Sequence, residues 1–288
     1  MIDISKFPIT SHDALWSNSL SYEKFKEELP WCTAVGAWGD SLCSMGNAFN
    51  YPGRCRFLHY GYDSSIRDFM QAQHWITEAC HLKPAENQYR HVVNATAFTE
   101  NTVFFDKFAN VIETHLRPSV TLSKHIHRWH GARLPVKQVE NVFNYNLPKS
   151  YVLFQPYSTQ SSKIEGHWPH WEKALELLLT FTPLHLVIVG ESELTTGSHP
   201  RVLDLSGCTS SMMEVFALAE RSQGVIGTCN SLSIYCGILS IPAVICPNSH
   251  LIEGSYFHRY IDVEPVKLIT YESNTADFLA VVAGTFDL

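Results

Sequence analysis

The stretch from Gln223 to Cys246 constrains the fold of this chain most strongly. It contains a short apolar run, the turn Gly227-Thr-Cys-Asn-Ser231, a helical segment over 232–239, Pro242 and a second apolar run over 243–246. This order of strand, tight turn, helix and strand is typical of a parallel α/β sheet. The turn lies at a helix N-terminus beyond the carboxyl end of a strand, where backbone N–H groups and the helix dipole favour an anion. The alternative interpretation is an ordinary turn capped by Ser or Asn.

Length and charge predict two domains. The chain has 288 residues, of which 45% are hydrophobic, and a formal net charge of −7. Residues 1–149 carry 15 Lys and Arg against 14 Asp and Glu, whereas residues 150–288 carry 6 against 14. The two halves therefore have different surfaces, and we expect a boundary between 149 and 150, in a linker over 141–150.

The N-terminal residues, the apolar runs and the cysteines indicate in which cellular compartment the protein is expected. The N-terminal residues lack the basic-then-apolar order of a signal peptide, and no apolar run reaches membrane-spanning length. The eight cysteines are scattered without a Cys-x-x-Cys pair, which favours reduced, mostly buried thiols over a zinc site or disulfides. We expect a cytoplasmic protein without a transmembrane segment.

Strand and helix patterns alternate along both halves. In the first half we predict strands over 31–35, 56–59 and near 91–94, with helices over 21–29, 65–73 and 103–116. In the second half we predict strands over 151–154, 184–189, 225–226, 243–246 and 260–263, and helices over 171–179, 212–221, 232–239 and 275–282. This alternation predicts an α/β fold with a doubly wound parallel sheet in the second half.

A basic segment follows the helix predicted over 103–116. No acidic residue occurs from Thr114 to Val139, and basic side chains are interleaved with an aromatic one, which can bind a polyanion. A solvated basic surface is the alternative. The spacing of His125, His127 and His130 resembles that of metal ligands, but no carboxylate or cysteine lies close by, so we predict no metal. The residues predicted to contact a polyanionic partner here are Lys124, Arg128, Trp129 and Arg133.

Four signals in a fixed order carry a family resemblance. They are Gly36-Ala-Trp-Gly-Asp40 after the first strand, Pro156-Tyr-Ser158 with Lys163 and Trp168-Pro169, Asp204-Leu-Ser-Gly-Cys-Thr-Ser210, and Gly227-Thr-Cys-Asn-Ser231 with Pro242. The chain resembles the heptosyltransferase-like family of GT-B glycosyltransferases. The resemblance implies two Rossmann-like domains facing a cleft, with the acceptor on residues 1–149 and a nucleotide-diphosphate sugar on residues 150–288. It also implies transfer with inversion, no essential metal and no further cofactor.

The resemblance also implies roles for individual residues. Asp40 matches the position of the family's catalytic base, although a helix cap is the alternative for this Asp. Trp38 beside it is predicted to contact the acceptor. The residues predicted to bind the donor are Ser158, Thr159, Lys163, Gly190, Glu191, Glu193, Thr228, Asn230 and Ser231.

The final turn departs from the family pattern. The family has Asp-Ser/Thr-Gly-x-x-His there, whereas this chain has Cys229 for the acid, Ser231 for the glycine and Ile234 for the histidine. The donor sugar therefore stays open between the hexosyl and pentosyl classes. A phosphate-bearing envelope saccharide is the first acceptor, and a hydroxymethylated base in DNA, as in phage DNA modification, is the alternative. A non-catalytic nucleotide-binding scaffold and a nucleotide-sugar epimerase are the other readings.

Overall fold

The computed structural model describes residues 31–35, 37–39, 41–42, 45, 55–60, 63–82, 134–157, 168–190, 198–246 and 264–288. The chain divides into two compact units, Met1–Arg133 and Leu134–Leu288. The division falls before the boundary predicted at 149 and 150, so the segment from 134 onward belongs with the second unit.

The first unit contains a three-stranded parallel sheet in the order β1-β2-β3. These strands are β1 (Trp31–Val35), β2 (Cys55–Tyr60) and β3 (Ile76–Leu82), and helix α1 (Ser65–Ala72) connects β2 to β3. Helix α1 buries Ile66, Phe69 and Met70, which recur at the spacing of one helix face. Because the strands are parallel, their carboxyl ends lie at the same edge of the sheet.

The predictions for β1, β2 and α1 are confirmed, whereas β3 was missed. Its sequence, ITEACHL, places Thr77, Glu78 and His81 among the apolar residues. These polar residues interrupt the continuous apolar run that marks a buried parallel strand. The helices predicted over 21–29 and 103–116 and the strands predicted near 91–94 and over 260–263 lie outside the described residues.

The second unit contains a six-stranded parallel sheet in the order β6-β5-β4-β7-β8-β9. The strands are β4 (Val152–Gln155), β5 (Leu186–Ile188), β6 (Val202–Asp204), β7 (Gly224–Thr228), β8 (Ala243–Cys246) and β9 (Val266–Leu268). Numbered within the unit, this is the 3-2-1-4-5-6 order of the Rossmann fold. The direction of winding reverses between β4 and β7, so the sheet has its topological switch point there.

Both faces of this sheet are buried. Alternate residues, such as Val152 and Phe154, join one core with Ile226 and Val244, while Leu153 and Val225 are buried with the opposite orientation. The first core also contains Trp168, Trp171 and Phe278. The ring centroids of the two tryptophans lie 5.1 Å apart. On the other face, Phe216 and Tyr235 stack at 4.0 Å. Such continuous burial explains the near-uninterrupted apolar runs of the strands.

Four of the five described helices of the second unit agree with the prediction, whereas the first was not predicted. They are α2 (Val136–Val142), α3 (Trp171–Phe181), α4 (Met212–Arg221), α5 (Ser231–Leu239) and α6 (Thr275–Phe286). Ser211 caps α4, accepting from the backbone N–H of Glu214, and Asn274 caps α6 through its side chain. Among the described residues, none of the helices has the length and apolarity that crossing a membrane requires.

A buried carboxylate ties the predicted linker to the second unit. Glu214 is 1% exposed and accepts hydrogen bonds from Ser210 N (2.8 Å), Ser210 Oγ (2.6 Å), Asn141 Nδ2 (2.7 Å) and Tyr145 OH (3.2 Å). Burial alone would raise the pKa of Glu214, but these hydrogen bonds to the ionised form outweigh it and lower the pKa. The residues after α2 are therefore fastened to the start of α4.

We expect Glu214→Gln to lower the free energy of unfolding at pH 7 by about 2–3 kcal/mol, because an amide nitrogen would face the donors of Ser210 or Asn141. Since the folded-state pKa is lowered, the carboxylate contributes stability above its unfolded pKa and loses it as the pH falls. Urea unfolding between pH 7 and pH 3 should therefore show a smaller pH dependence in the variant.

The exposed Glu176, paired with Lys173, provides the control for this prediction. Glu176→Gln should change the unfolding free energy by less than about 0.5 kcal/mol, as expected for an exposed ion pair. Equal effects of the two substitutions would contradict the role given to Glu214.

Candidate functional site

The switch point of the second sheet lies between β4 and β7, so the candidate crevice is at the carboxyl ends of these two strands. In open α/β sheets, ligands bind in such a crevice. Gln155 ends β4 and pairs in register with Gly227 of β7. Asn230, two residues beyond β7, donates from Nδ2 to Gln155 Oε1 at 2.8 Å. One side-chain hydrogen bond therefore spans the switch point, between residues 75 positions apart in sequence.

Glycines flank Gln155 on both sides. A Cβ at Gly227 would lie 2.8 Å from the backbone oxygen of Gln155, so only a glycine allows this approach of β7. On the other side, Gly190 follows β5 with a φ of +122°. A Cβ there would lie 3.2 Å from the oxygen of Tyr157 and 3.8 Å from Gln155 Cγ. The space around the end of β4 is therefore not filled by neighbouring side chains at these two positions.

The N-terminus of α5 is capped by its own residues. Asn230 Oδ1 accepts from Leu232 N at 2.8 Å and from Ser233 N at 3.4 Å, and Ser233 Oγ accepts from Asn230 N at 3.0 Å. This capping box satisfies three backbone N–H groups that the sequence analysis left for an anion. At the start of α5, the described donors that this capping box leaves are the backbone N–H and the hydroxyl of Ser231.

The turn carries no ionised side chain from Thr228 to Ser233. Burial raises the pKa of Cys229 to about 12, although the hydrogen bond from Ser233 Oγ opposes the shift. The thiol is therefore neutral at physiological pH, and it stands where the resembled family has an acid. Ile234 is fully buried in the position of that family's histidine. The described residues of this turn would therefore offer an anion only neutral donors and the helix dipole.

Thr228 has an unsatisfied hydroxyl. The residue ends β7 and is 1% exposed, and its Oγ1 has no hydrogen-bond partner among the described residues. A buried hydroxyl without a partner costs about 1–3 kcal/mol. Because this oxygen is enclosed by protein atoms, a ligand in the crevice does not reach it in this structure. The prediction that Thr228 binds the donor stays a prediction.

In the first unit, Trp38 lies just beyond β1. Its indole Nε1 donates to Asp63 Oδ2 at 2.7 Å, and its ring packs edge-on against Phe69 with centroids 5.5 Å apart. Asp63 also accepts from the backbone N–H of Ser65 at the start of α1. The indole is only 7% exposed, so it fixes the turn after β1 to α1. Its contact with an acceptor stays a prediction.

A histidine pair was not anticipated. His59 on β2 and His81 on β3 are in register, with their Nδ1 atoms 2.9 Å apart and their rings stacked. One Nδ1 donates and the other accepts, so at this distance both cannot be protonated. Their separation along the chain gives no local signal. Within the described part of the chain, no group of three or more His, Cys, Asp or Glu residues is arranged to hold a metal ion.

The structure brings together some of the predicted site residues. Gly190, Thr228, Asn230 and Ser231 lie near the end of β4, together with Gln155, which was not predicted as a site residue. A polar residue closing the buried run YVLF was the available signal. The predicted residues outside the described part of the chain are Asp40, Lys124, Arg128, Trp129, Arg133, Ser158, Thr159, Lys163, Glu191 and Glu193.

Solved structures share this architecture. The chain is similar over 90% of its length to E. coli ADP-heptose LPS heptosyltransferase II, covering 98% of that protein at 12% identity with a TM-score of 0.56. It is also similar over 92% of its length to a family 9 glycosyl transferase from Veillonella parvula, covering 92% of that protein at 11% identity with a TM-score of 0.54. The fold is GT-B. The predicted fold class is thereby confirmed. No family model matches the chain, and no curated protein matches it in sequence.

We expect Thr228→Val to raise the free energy of unfolding by about 1 kcal/mol, because the isosteric valine removes a buried hydroxyl without a partner. Urea unfolding of the wild type and the variant measures this. A loss of stability would contradict the assignment and indicate that the hydroxyl is hydrogen-bonded in solution.

Proposed function

We propose that this protein is a glycosyltransferase that moves a sugar from a nucleotide-diphosphate sugar to an acceptor hydroxyl. The observation that carries the proposal is the switch-point crevice of a GT-B chain, bordered by glycines and by the polar groups of Gln155 and Ser231. These groups are hydrogen-bond donors at the positive end of α5, which suits the phosphate oxygens of a nucleotide.

The acceptor is proposed from the comparisons and the sequence together. One similar structure is named for ADP-heptose and lipopolysaccharide, which supports an envelope saccharide as the acceptor. The acid-free basic segment over 114–139 suits the phosphates of such a polymer. A phosphate-bearing acceptor is therefore proposed, with the hydroxymethylated base in DNA as its alternative.

The reaction requires two further contributions from the chain. The acceptor hydroxyl must lose its proton, and Asp40 is the proposed base. Attack by this hydroxyl is proposed to invert the configuration of the anomeric carbon. The departing nucleotide diphosphate develops negative charge, which Lys163, Ser158 and Thr159 are proposed to stabilise. With these groups the transfer would need no metal ion.

A second candidate is a non-catalytic nucleotide-binding scaffold. The self-capped turn of α5 and the neutral Cys229 favour it, because both reduce the charge and the free N–H groups offered to a phosphate. This candidate predicts that nucleotide binds and that no sugar is transferred to any acceptor.

Calorimetric titration of the full chain with UDP, ADP and GDP in the presence of EDTA tests the proposal. One nucleoside diphosphate should bind with a clear preference, and its sugar conjugate should release nucleotide diphosphate only when acceptor is added. Binding without release would favour the scaffold, and release of an epimerised sugar nucleotide without acceptor would favour an epimerase. No binding at millimolar concentration would overturn the proposed function.

We expect Asp40→Asn to reduce turnover at least about a hundredfold, because the general base is lost, while nucleotide binding persists. Initial rates at saturating donor, together with calorimetry, measure both. Asp68→Asn, in the exposed Asp68–Arg67 pair of the same unit, is the matched control and should leave both unchanged. Wild-type turnover in Asp40→Asn would reduce Asp40 to a helix cap.

A further inference from the structure

The cap of α5 fixes the orientation of the Asn230 amide. Its oxygen accepts from the backbone N–H groups of Leu232 and Ser233, as a capping oxygen must. Reversing this amide would direct an NH₂ group at two backbone donors and lose both bonds. The nitrogen of Asn230 therefore faces away from the helix, toward Gln155.

The hydrogen bond from Asn230 fixes the orientation of the Gln155 amide in turn. Since Asn230 Nδ2 is a donor at 2.8 Å, the atom it meets must be the oxygen Oε1 of Gln155. The nitrogen Nε2 of Gln155 then points elsewhere, with no hydrogen-bond partner within the described residues. Some side-chain N and O atoms of the described residues are fully buried without a hydrogen-bond partner, and they belong to Ser41, Trp171, Ser206 and Thr228. Gln155 Nε2 is not among these fully buried atoms. Gln155 thus keeps an accessible N–H donor and has its acceptor engaged.

The position of this donor is determined by the sheet. Gln155 ends the strand at the switch point, and its neighbours on either side are Gly190 and Gly227, which have no side chains to cover it. Because the capping box uses the N–H groups of Asn230, Leu232 and Ser233, the start of α5 leaves a phosphate the backbone N–H of Ser231, and further donors must come from side chains.

We propose that Gln155 Nε2 donates a hydrogen bond to a phosphate oxygen of the bound nucleotide diphosphate, with Asn230 as the residue that holds the amide in this orientation. The inference rests on the proposed function, since it assigns one contact within that site. In this arrangement, the N-terminus of α5 orients the amide of Asn230, which orients that of Gln155 toward the ligand, and it also contributes its helix dipole. A group that only accepts hydrogen bonds, such as phosphate, satisfies this donor.

Gln155→Glu separates this role from a purely structural one. The glutamate keeps an oxygen for Asn230 Nδ2, so the cap and the bridge across the switch point persist. It replaces the N–H donor by a negatively charged oxygen facing the ligand. We expect the Kd of the nucleoside diphosphate to rise about 10- to 100-fold, the loss expected for a hydrogen bond to a charged group. The Kd of the corresponding nucleoside should change less than about threefold.

Gln223→Glu is the matched control. Gln223 is exposed and immediately precedes β7 at the amino-terminal end of the strand, so this variant makes the same change in charge at the opposite edge of the sheet. It should bind the nucleoside diphosphate as the wild type does. Gln155→Met, which removes the donor without adding charge, should also weaken nucleoside diphosphate binding, and it keeps the test decisive if the glutamate variant does not fold.

Calorimetry on the full-length wild type and these variants, with thermal unfolding of each, decides the outcome. If the wild type binds and the folded Gln155 variants bind equally well, Gln155 is structural only and this inference fails while the proposed function stands. Equal losses for nucleoside and nucleoside diphosphate would overturn the phosphate contact. If the wild type binds no nucleoside diphosphate, the proposed function fails, and the inference fails with it.

Discussion

The close approach of β7 to β4 is the constraint on which the second unit depends. A Cβ at residue 227 would lie 2.8 Å from the backbone oxygen of Gln155, so the two central strands meet as they do because Gly227 lacks a side chain. The parallel sheet reverses its winding at this pair of strands, and both cores extend outward from it. The same contact brings Asn230 within reach of Gln155, so the packing of the sheet and the geometry of the crevice have one origin.

The described turn of this site is neutral where the family that the sequence resembles has an acid and a histidine. Cys229 is protonated because burial opposes its ionisation, and Ile234 is part of the core. What the crevice retains is a set of uncharged donors in fixed orientations. A neutral donor in a partly desolvated position still discriminates between ligands, because a ligand that offers no acceptor leaves it unpaired. Selectivity here would thus depend on orientation more than on net charge.

The sequence predicted the elements whose signals are local. Strand β8 and helix α4 were predicted with their observed limits, because a continuous apolar run and a Ser211 cap with Glu214 three residues later both lie within a few positions. Strand β3 was not predicted, because its polar residues interrupt the apolar run by which a buried strand is recognised. The Gln155–Asn230 bridge and the His59–His81 pair could not be predicted, because strand order and register, which no local pattern records, determine which distant residues meet.

The hydrogen bonds of Glu214 also define where the second unit begins. Asn141 and Tyr145 supply two of the donors to a carboxylate that is almost completely buried. A truncated chain starting at residue 150, as charge and the proline near 148 suggest, would retain β4 and every later element but leave this carboxylate without those donors. The compact second unit therefore begins at residue 134, and the short helix α2 belongs to it.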